Sequence, residues 1–262
     1  MAYDLVSDLH VDFWEAKFAY DWKHKKTPNS VGVIVAGDVA DTIDTTIAEL
    51  NKACDVYKFV LYVDGNHEST ENYDRLHHTT NAISKAMKPR ENFVDLTQCD
   101  FIDGKTVFIG ACGWWDFRLC EPEISFEEAK ASMNCEWNPI KTMTRDQLVH
   151  NILSKADEDF LKIKNKIEKY KNDYDICIVT HTVPHKKLVS NEYPFDRRFA
   201  PHYGNSLFQS FFEEPSVKHA IYGHNHGARQ EAFVNHVRCL SNPRGRPKDY
   251  KREQYKPLPV SF

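Results

Sequence analysis

Several features that mark particular classes of protein are absent from this sequence of 262 residues. No apolar run approaches the roughly 18–20 residues that a helix needs to span a bilayer, so no membrane protein is indicated. The first residues have neither a basic stretch nor an apolar core, which argues against a secretory signal. No repeat or low-complexity linker interrupts the chain. We therefore expect a cytoplasmic protein with one domain over residues 1–262.

The sequence also lacks any arrangement of cysteines typical of a disulfide framework or a metal knuckle. Its seven cysteines are irregularly spaced, and no Cys-x-x-Cys pair occurs. Cys177 lies within the apolar run 176–179 and is typical of a small core residue. We expect reduced and mostly buried thiols, as in cytosolic proteins.

An excess of positive charge is missing as well. Lys and Arg number 34 against 38 Asp and Glu, which gives a formal net charge of −4. Because proteins dedicated to duplex DNA are usually basic, the overall charge gives no support to nucleic-acid binding. One cationic stretch near the end of the chain is interpreted as a solvated surface, and it comprises Arg244, Arg246, Lys248, Lys251, Arg252 and Lys256.

The sequence does have the composition of a folded protein, with 41% hydrophobic and 27% charged residues. Short apolar runs that end in small or polar residues alternate with helical patterns, which predicts an α/β fold. The predicted strands are 3–6, 31–36, 57–63, 106–110, 176–180, 218–222 and 237–240.

Helical periodicity is clearest over 145–170, where Thr144 and Gln147 form a capping box. Two further helices are predicted at 45–54 and 73–87. The stretch 115–143 is acidic and irregular, and we interpret it as a loop or cap over one end of the sheet.

Residues of the types that bind metals follow five of the predicted strands. They are Asp8, His10, Asp38, Asn66, His181, His224 and His226. In open α/β sheets, ligands bind at the carboxyl ends of the strands. Because alternate side chains of an extended segment point the same way, we expect Asp8 and His10 to share one face and His224 and His226 to lie side by side. Each motif alone is common in structural positions, and the inference depends on their conjunction.

This set of nitrogen and oxygen donors suits Mn, Fe, Zn, Ni or Co better than it suits calcium or a structural zinc. Mg is a less favoured ion than these five. The donors exceed what one tetrahedral ion needs. A carboxylate such as Asp38 can bridge two ions about 3.5–4 Å apart, as in two-metal hydrolytic sites. The sequence therefore predicts two divalent metal ions.

The order of these motifs resembles that of the calcineurin-like metallophosphoesterase superfamily. The matching segments are Asp-x-His at 8–10, Gly-Asp-x-x-Asp at 37–41, Gly-Asn-His-Glu at 65–68, His181 after a strand, and Gly-His-x-His at 223–226. The resemblance extends from Ser7 to about Gly245. Two weaker matches, at 114–117 and 242–245, resemble segments of small microbial and phage members.

The resemblance implies a four-layer α/β/β/α sandwich with a dinuclear metal site at strand C-terminal ends. It assigns Asp8, His10 and His226 to the first metal, Asn66, His181 and His224 to the second, and Asp38 to both.

The resemblance also implies that His67 donates a proton to the leaving oxygen or otherwise stabilises charge there. Asp41 and Glu68 would orient His67 or the metal-bound histidines. The chemistry agrees, because a water that bridges two divalent ions loses its proton near neutral pH and an imidazole can protonate the departing alkoxide.

The predicted function is metal-dependent hydrolysis of phosphate esters, by a phosphodiesterase or phosphatase on a small or nucleotide-like substrate. The acidic net charge favours small substrates over nucleic acid, although a nuclease on single-stranded nucleic acid stays open. A protein phosphatase is less favoured because no docking extension is recognisable. A catalytically silent, metal-bound scaffold is the alternative from another class.

Some further residues are candidates for substrate contacts. The cations between His185 and His202 either contact a phosphate or form a solvated loop, and they are Lys186, Lys187, Arg197 and Arg198. Trp114 and Trp115 either stack on a substrate or pack in the core, and core packing is favoured for at least one of them. Tyr203 and Arg244 are weaker candidates.

Overall fold

The structure is a computed structural model in which residues 1–70, 72, 74–132, 143–189, 200–227, 230–250 and 254–262 are described. One sheet contains five strands in the order β11-β1-β2-β3-β4, with β1 to β4 parallel and β11 antiparallel to β1. Its strands are β1 (Ala2–Val6), β2 (Gly32–Ala36), β3 (Phe59–Val63), β4 (Phe93–Asp95) and β11 (Leu258–Ser261).

The other sheet contains six strands in the order β5-β6-β7-β8-β10-β9. Its four inner strands are parallel, and an antiparallel strand borders each side. The strands are β5 (Phe101–Asp103), β6 (Thr106–Ala111), β7 (Asp175–Thr180), β8 (Val217–Tyr222), β9 (Gln230–Val234) and β10 (Val237–Ser241).

The two sheets pack face to face, and alternate residues of each strand bury opposite faces. Ile34 and Ala36 of β2 point into the layer between the sheets, whereas Val33 and Val35 point outward to the helices. At the contact between the sheets, a Cβ on Gly110 of β6 would lie 2.6 Å from Val63 of β3. The layer between the sheets is therefore closely packed.

Helices cover both outer faces. The chain forms α1 (Trp22–Lys25), α2 (Ile43–Cys54), α3 (Leu76–Met87), α4 (Phe126–Ser132), α5 (Arg145–Tyr170), α6 (Pro247–Tyr250) and a 3₁₀ helix at Ser206–Glu213. The first sheet packs against α2 and α3, and the second packs against α5 and the 3₁₀ helix. The result is the predicted four-layer sandwich. Among helices of the described ranges, none combines the length and the apolar character that crossing a bilayer would take.

The predicted helix at 145–170 is confirmed, as is its capping box: Thr144 Oγ1 accepts from the Gln147 backbone, and Gln147 Oε1 accepts from the Thr144 backbone. The described part of the stretch 115–143 includes α4 and packs onto the first turns of α5 through Phe117, Ile124 and Ala129. Residues 133–142 lie outside the described residues, as does Tyr73 at the predicted start of α3. Every described cysteine is a free thiol, and of these Cys99 alone is exposed.

Candidate metal centre

The carboxyl ends of strands from both sheets meet at one edge of the sandwich, and all seven predicted ligand residues lie there. Asp8 and His10 follow β1, Asp38 follows β2, Asn66 follows β3, His181 follows β7, and His224 and His226 follow β8. Most of these side chains are fully buried, and the two that follow β8 are half-buried. The site is thus assembled across the two sheets.

The backbone at the site is not extended, so the expectation based on strand alternation is wrong. β1 ends at Val6, and Asp8 and His10 have positive φ values of 50° and 42°. Asp38 and His224 are also left-handed, with φ of 54° and 66°. Such conformations are costly for residues other than glycine and occur where surrounding structure enforces them. Here the His10 backbone N–H donates to the Asp38 carbonyl at 3.1 Å, and that of His224 donates to Asp8 Oδ1 at 2.9 Å.

Asp8, His10, Asp38 and His226 form cluster 1, in which one potential ligand atom from each lies within 4.8 Å of the others. The Nε2 atoms of His10 and His226 are 3.0 Å apart. His226 Nε2 lies 3.3 Å from Asp8 Oδ1, and His10 Nε2 lies 3.7 Å from Asp38 Oδ2. These atoms converge on one point between the two sheets.

Asp38, Asn66, His181 and His224 form cluster 2. His181 Nε2 lies 3.2 Å from Asp38 Oδ1 and 3.1 Å from Asn66 Oδ1. His224 Nδ1 lies 3.3 Å from the same His181 nitrogen. The two carboxylate oxygens of Asp38 therefore point to different clusters, Oδ2 to cluster 1 and Oδ1 to cluster 2.

Outer hydrogen bonds fix the rings of cluster 2. His181 Nδ1 donates to the Ala36 carbonyl at 2.9 Å, and His224 Nε2 donates to the His202 carbonyl at 2.9 Å. Because a carbonyl oxygen only accepts, the other nitrogen of each ring is the one that presents a lone pair to the site when the ring is neutral. The indole of Trp115 stacks on His224, with ring centroids 5.9 Å apart and planes at 19°.

The corresponding partner in cluster 1 is Asp249 of α6, which the sequence analysis missed. Its Oδ2 accepts from His226 Nδ1 at 2.5 Å and from the Arg246 backbone N–H at 2.8 Å. Burial lowers the pKa of His226, but its hydrogen bonds with Asp249 and Asp8 outweigh burial and raise that pKa to about 9. One sequence signal was available: Asp249 is one of only two acids, with Glu253, in the cationic stretch 244–256.

Burial and neighbouring charge move the pKa values of the clustered histidines apart. Burial and the charge of His67 lower the pKa of His10 well below its usual range. Burial and the charge of His181 lower the pKa of His224 to about 3. At His181 burial lowers the pKa, but the Asp38 carboxylate outweighs it and raises the pKa to about 10. Imidazoles this close cannot all be positively charged at once. Divalent cations, in contrast, are bound by neutral imidazole, carboxylate and amide oxygen together. The residues of both clusters therefore fit divalent ions.

His67 lies beside cluster 1 without belonging to it. Its Nδ1 donates to Asp41 Oδ1 at 2.7 Å, and its backbone N–H donates to Asp38 Oδ1 at 2.9 Å. Its ring meets that of His10 edge-on, with centroids 4.8 Å apart. Nη2 of Arg246 lies 2.8 Å from His67 Nε2. Asp41 thus orients His67, while Nε2 faces the site and a cation.

Glu68 is buried, and its hydrogen bonds are with the backbone and not with an imidazole. Its carboxylate accepts from the N–H groups of Asp38, Val39 and Gly65 at 3.2, 2.7 and 2.8 Å. Burial and the charge of Asp38 raise its pKa to about 8. A Cβ on Gly65 would overlap the Asp38 carboxylate, so this approach requires glycine. Glu68 therefore holds together the loops that carry Asp38 and His67.

The cationic stretch near the end of the chain is not uniformly a solvated surface. Arg244 is buried, with its guanidinium carbon 4.0 Å from the centroid of a Trp14 ring, and it donates to the Phe18 carbonyl. Arg246 is half-buried against His67, whereas Lys248 is exposed as expected. Arg244, the candidate from the sequence, is thus packed away from the clusters, and Arg246 is the arginine that lies beside His67.

The remaining candidates that the structure describes are not members of either cluster. Trp114 is fully buried and Trp115 nearly so, which confirms core packing. The ring of Tyr203 lies 6.1 Å from that of His224. Lys186 and Lys187 belong to an exposed 3₁₀ turn. Arg197 and Arg198 lie outside the described residues.

Comparisons with known proteins agree with this geometry. The sequence model of the family described as calcineurin-like phosphoesterase matches residues 1–228. A search of curated proteins found no match. The chain is similar to the crystal structure of a phosphopantetheinyl hydrolase from Mycobacterium tuberculosis, with a TM-score of 0.74, 19% identity, and coverage of 98% of this chain and 95% of that chain. It is also similar to a dimetal phosphatase from Danio rerio, with a TM-score of 0.53, 16% identity, and coverage of 93% and 87%. At these identities the likeness shows a shared fold.

Proposed function

Because the chain belongs to the calcineurin-like phosphoesterase family of metal-dependent phosphoester hydrolases, we propose that it is a dinuclear phosphoesterase acting on small phosphate esters. The observation that carries this proposal is the placement of Asp38. One of its oxygens faces His10 at 3.7 Å and the other faces His181 at 3.2 Å. A carboxylate shared in this way between two sets of ligands suits a bridge between two ions.

In this proposal Asp8, His10 and His226 hold one ion with Asp38, and Asn66, His181 and His224 hold the other with Asp38. Divalent ions bound there would supply an activated water and would neutralise charge on the phosphoryl oxygens. The protein contributes ligands whose orientation is fixed before binding, by the Ala36 and His202 carbonyls in cluster 2 and by Asp249 in cluster 1.

His67 is proposed to give a proton to the leaving oxygen. Its ring is held through Nδ1 by Asp41 at 2.7 Å, so Nε2 is the atom that faces the reacting group. The carboxylate of Asp41 fixes the orientation of the ring through this hydrogen bond. Imidazole is a suitable general acid near neutral pH.

A small substrate is favoured by the net charge of −4, because nucleic-acid affinity depends on neutralising many phosphates. A phosphopantetheinyl ester belongs among the substrates tested, given the fold shared with a phosphopantetheinyl hydrolase. A steep loss of single-stranded DNA affinity with rising salt would instead favour the nuclease.

The test is a screen of metals against substrates. Metal-stripped protein is loaded with Mn, Fe, Zn, Ni, Co or Mg and assayed on p-nitrophenyl phosphate, bis(p-nitrophenyl) phosphate, cyclic nucleotides, a phosphopantetheinyl ester and an oligonucleotide. Bound ions are counted by mass spectrometry. We expect two ions per chain and turnover of a small ester. A protein that turns over nothing with any metal, from mildly acid to alkaline pH, would be a scaffold instead.

A further inference from the structure

Arg246 enters the site from the segment that follows β10. Its Nη2 lies 2.8 Å from His67 Nε2, and its guanidinium carbon lies 4.8 Å from the centroid of the Phe13 ring. Its backbone N–H donates to Asp249 Oδ2 at 2.8 Å, and the same oxygen accepts from His226. The carboxylate that fixes a proposed metal ligand therefore also fixes the backbone of Arg246.

The backbone on the other side of Arg246 is fixed as well. The Gly245 N–H donates to the Asp8 carbonyl at 2.9 Å. Gly245 has φ of +73°, which a residue with a side chain rarely adopts, and a Cβ there would lie 3.2 Å from Asp249 Oδ2. The backbone is therefore held on both sides of Arg246.

The acceptor that Arg246 contacts at His67 is a weak one. Toward a guanidinium N–H, His67 Nε2 can offer only a ring lone pair, which has no formal negative charge. A phosphoryl oxygen carries negative charge, and a planar guanidinium pairs with it in a charge-assisted, often bidentate, geometry. A phosphoryl group that enters the site would compete successfully with the imidazole for Arg246. His67 Nε2 is also the atom that must face the leaving oxygen.

We propose that Arg246 binds a non-bridging oxygen of the substrate phosphoryl group and gives up its contact with His67 when it does so. This inference rests on the proposed function. Attraction to a guanidinium grows with the charge of the partner, so Arg246 contributes more to a dianionic monoester than to a monoanionic diester. The residue is therefore a determinant of monoester preference as well as a substrate contact.

The test compares Arg246→Gln with Lys248→Gln, which removes the same charge from an exposed position of the same segment. For Arg246→Gln we expect kcat/KM on p-nitrophenyl phosphate to fall about 10- to 100-fold with a raised KM, and to fall less on bis(p-nitrophenyl) phosphate. The Kd of the Mn-loaded protein for inorganic phosphate, measured by calorimetry, should rise by a similar factor. Arg246→Lys keeps the charge and should be intermediate, and Lys248→Gln should match the wild type.

Metal content is measured on the same samples. The hydrogen bond from position 246 to Asp249 comes from the backbone, so Arg246→Gln should retain its ions. The inference is overturned if Arg246→Gln binds phosphate and turns over both esters as Lys248→Gln does, or if its losses come with loss of an ion. If Arg246→Gln behaves as Lys248→Gln does while the wild type hydrolyses esters, the role of Arg246 is contradicted and the proposed function is not. A wild type that binds no metal or turns over no ester would contradict both the role of Arg246 and the proposed function.

Discussion

Removing the Asp249 carboxylate tests whether its hydrogen bond from His226 strengthens metal binding at cluster 1. Asp249→Ala deletes the acceptor of two hydrogen bonds, one from His226 Nδ1 at 2.5 Å and one from the Arg246 N–H at 2.8 Å. Loss of a carboxylate that supports a metal-bound histidine typically costs 10- to 100-fold in metal affinity. That factor corresponds to about 1.4–2.7 kcal/mol, which agrees with about 1.5–3 kcal/mol for one hydrogen bond to a charged group.

Asp249→Asn separates charge from hydrogen bonding. An asparagine at this position can still present an oxygen where Oδ2 accepts both donors, but the oxygen carries no full charge. We therefore expect less than about a tenfold loss of affinity for this variant. Lys248→Ala is the control, because it alters an exposed residue of the same short helix.

The assay is titration of each stripped variant with Mn²⁺ at buffered free concentrations, with bound ions counted by mass spectrometry. Within the part of the chain that the structure describes, Asp249 hydrogen-bonds to His226 of cluster 1 and to none of Asn66, His181 and His224. One ion per chain should therefore weaken, while the other keeps its affinity. Two ions bound as tightly by Asp249→Ala as by the wild type would refute the reasoning.

Three further variants are informative. His67→Ala should lower turnover of alkyl phosphates more than that of p-nitrophenyl phosphate, because an activated leaving group needs no proton; equal losses would contradict the acid role. Asp38→Asn should reduce binding of both ions, with Asp44→Asn at an exposed position as control, and an unchanged ion count would disprove the bridge. Asp159→Ala should cost about 3–5 kcal/mol in urea unfolding, since it leaves Lys155 buried without the carboxylate that lies 2.5 Å from its Nζ. A cost under about 1 kcal/mol would show that the buried pair contributes little.

The strands that the sequence predicts and those that it misses differ in their place in the fold. All seven predicted strands are interior strands of the two sheets, and each is found within two residues of its predicted bounds. Among the described residues, the strands that were missed are β4, β5, β9 and β11, which are the edge strands of the two sheets. An interior strand is buried on both faces and gives a continuous apolar run. An edge strand such as β5 is short and partly exposed, so its pattern resembles that of a loop.

In the site, too, some features follow from the local sequence and others depend on contacts between distant segments. Each motif residue follows an interior strand, so its place at the carboxyl ends of the strands can be predicted from the sequence. The left-handed backbone at Asp8 and His10 does not, because the carbonyls of Gly37 and Asp38, which accept from their N–H groups, come from another strand end. Arg246 likewise cannot be distinguished from Lys248 by charge alone, since only the path of the chain after β10 decides which cation faces His67.

The segment after β10 connects the two halves of the site. Although β10 belongs to the second sheet, the segment after it pairs with the end of β1: the Arg244 N–H donates to the Ser7 carbonyl at 3.0 Å, and Ser7 and Pro243 form a β-bridge. Cluster 1 depends on this connection, because it combines Asp8 from the first sheet with His226 from the second. A shift of one sheet against the other would separate these ligands even if every motif were intact. The short run from Pro243 to Asp249 therefore adds to the links that motif residues make between the sheets, from the His224 N–H to Asp8 and from His181 Nδ1 to the Ala36 carbonyl.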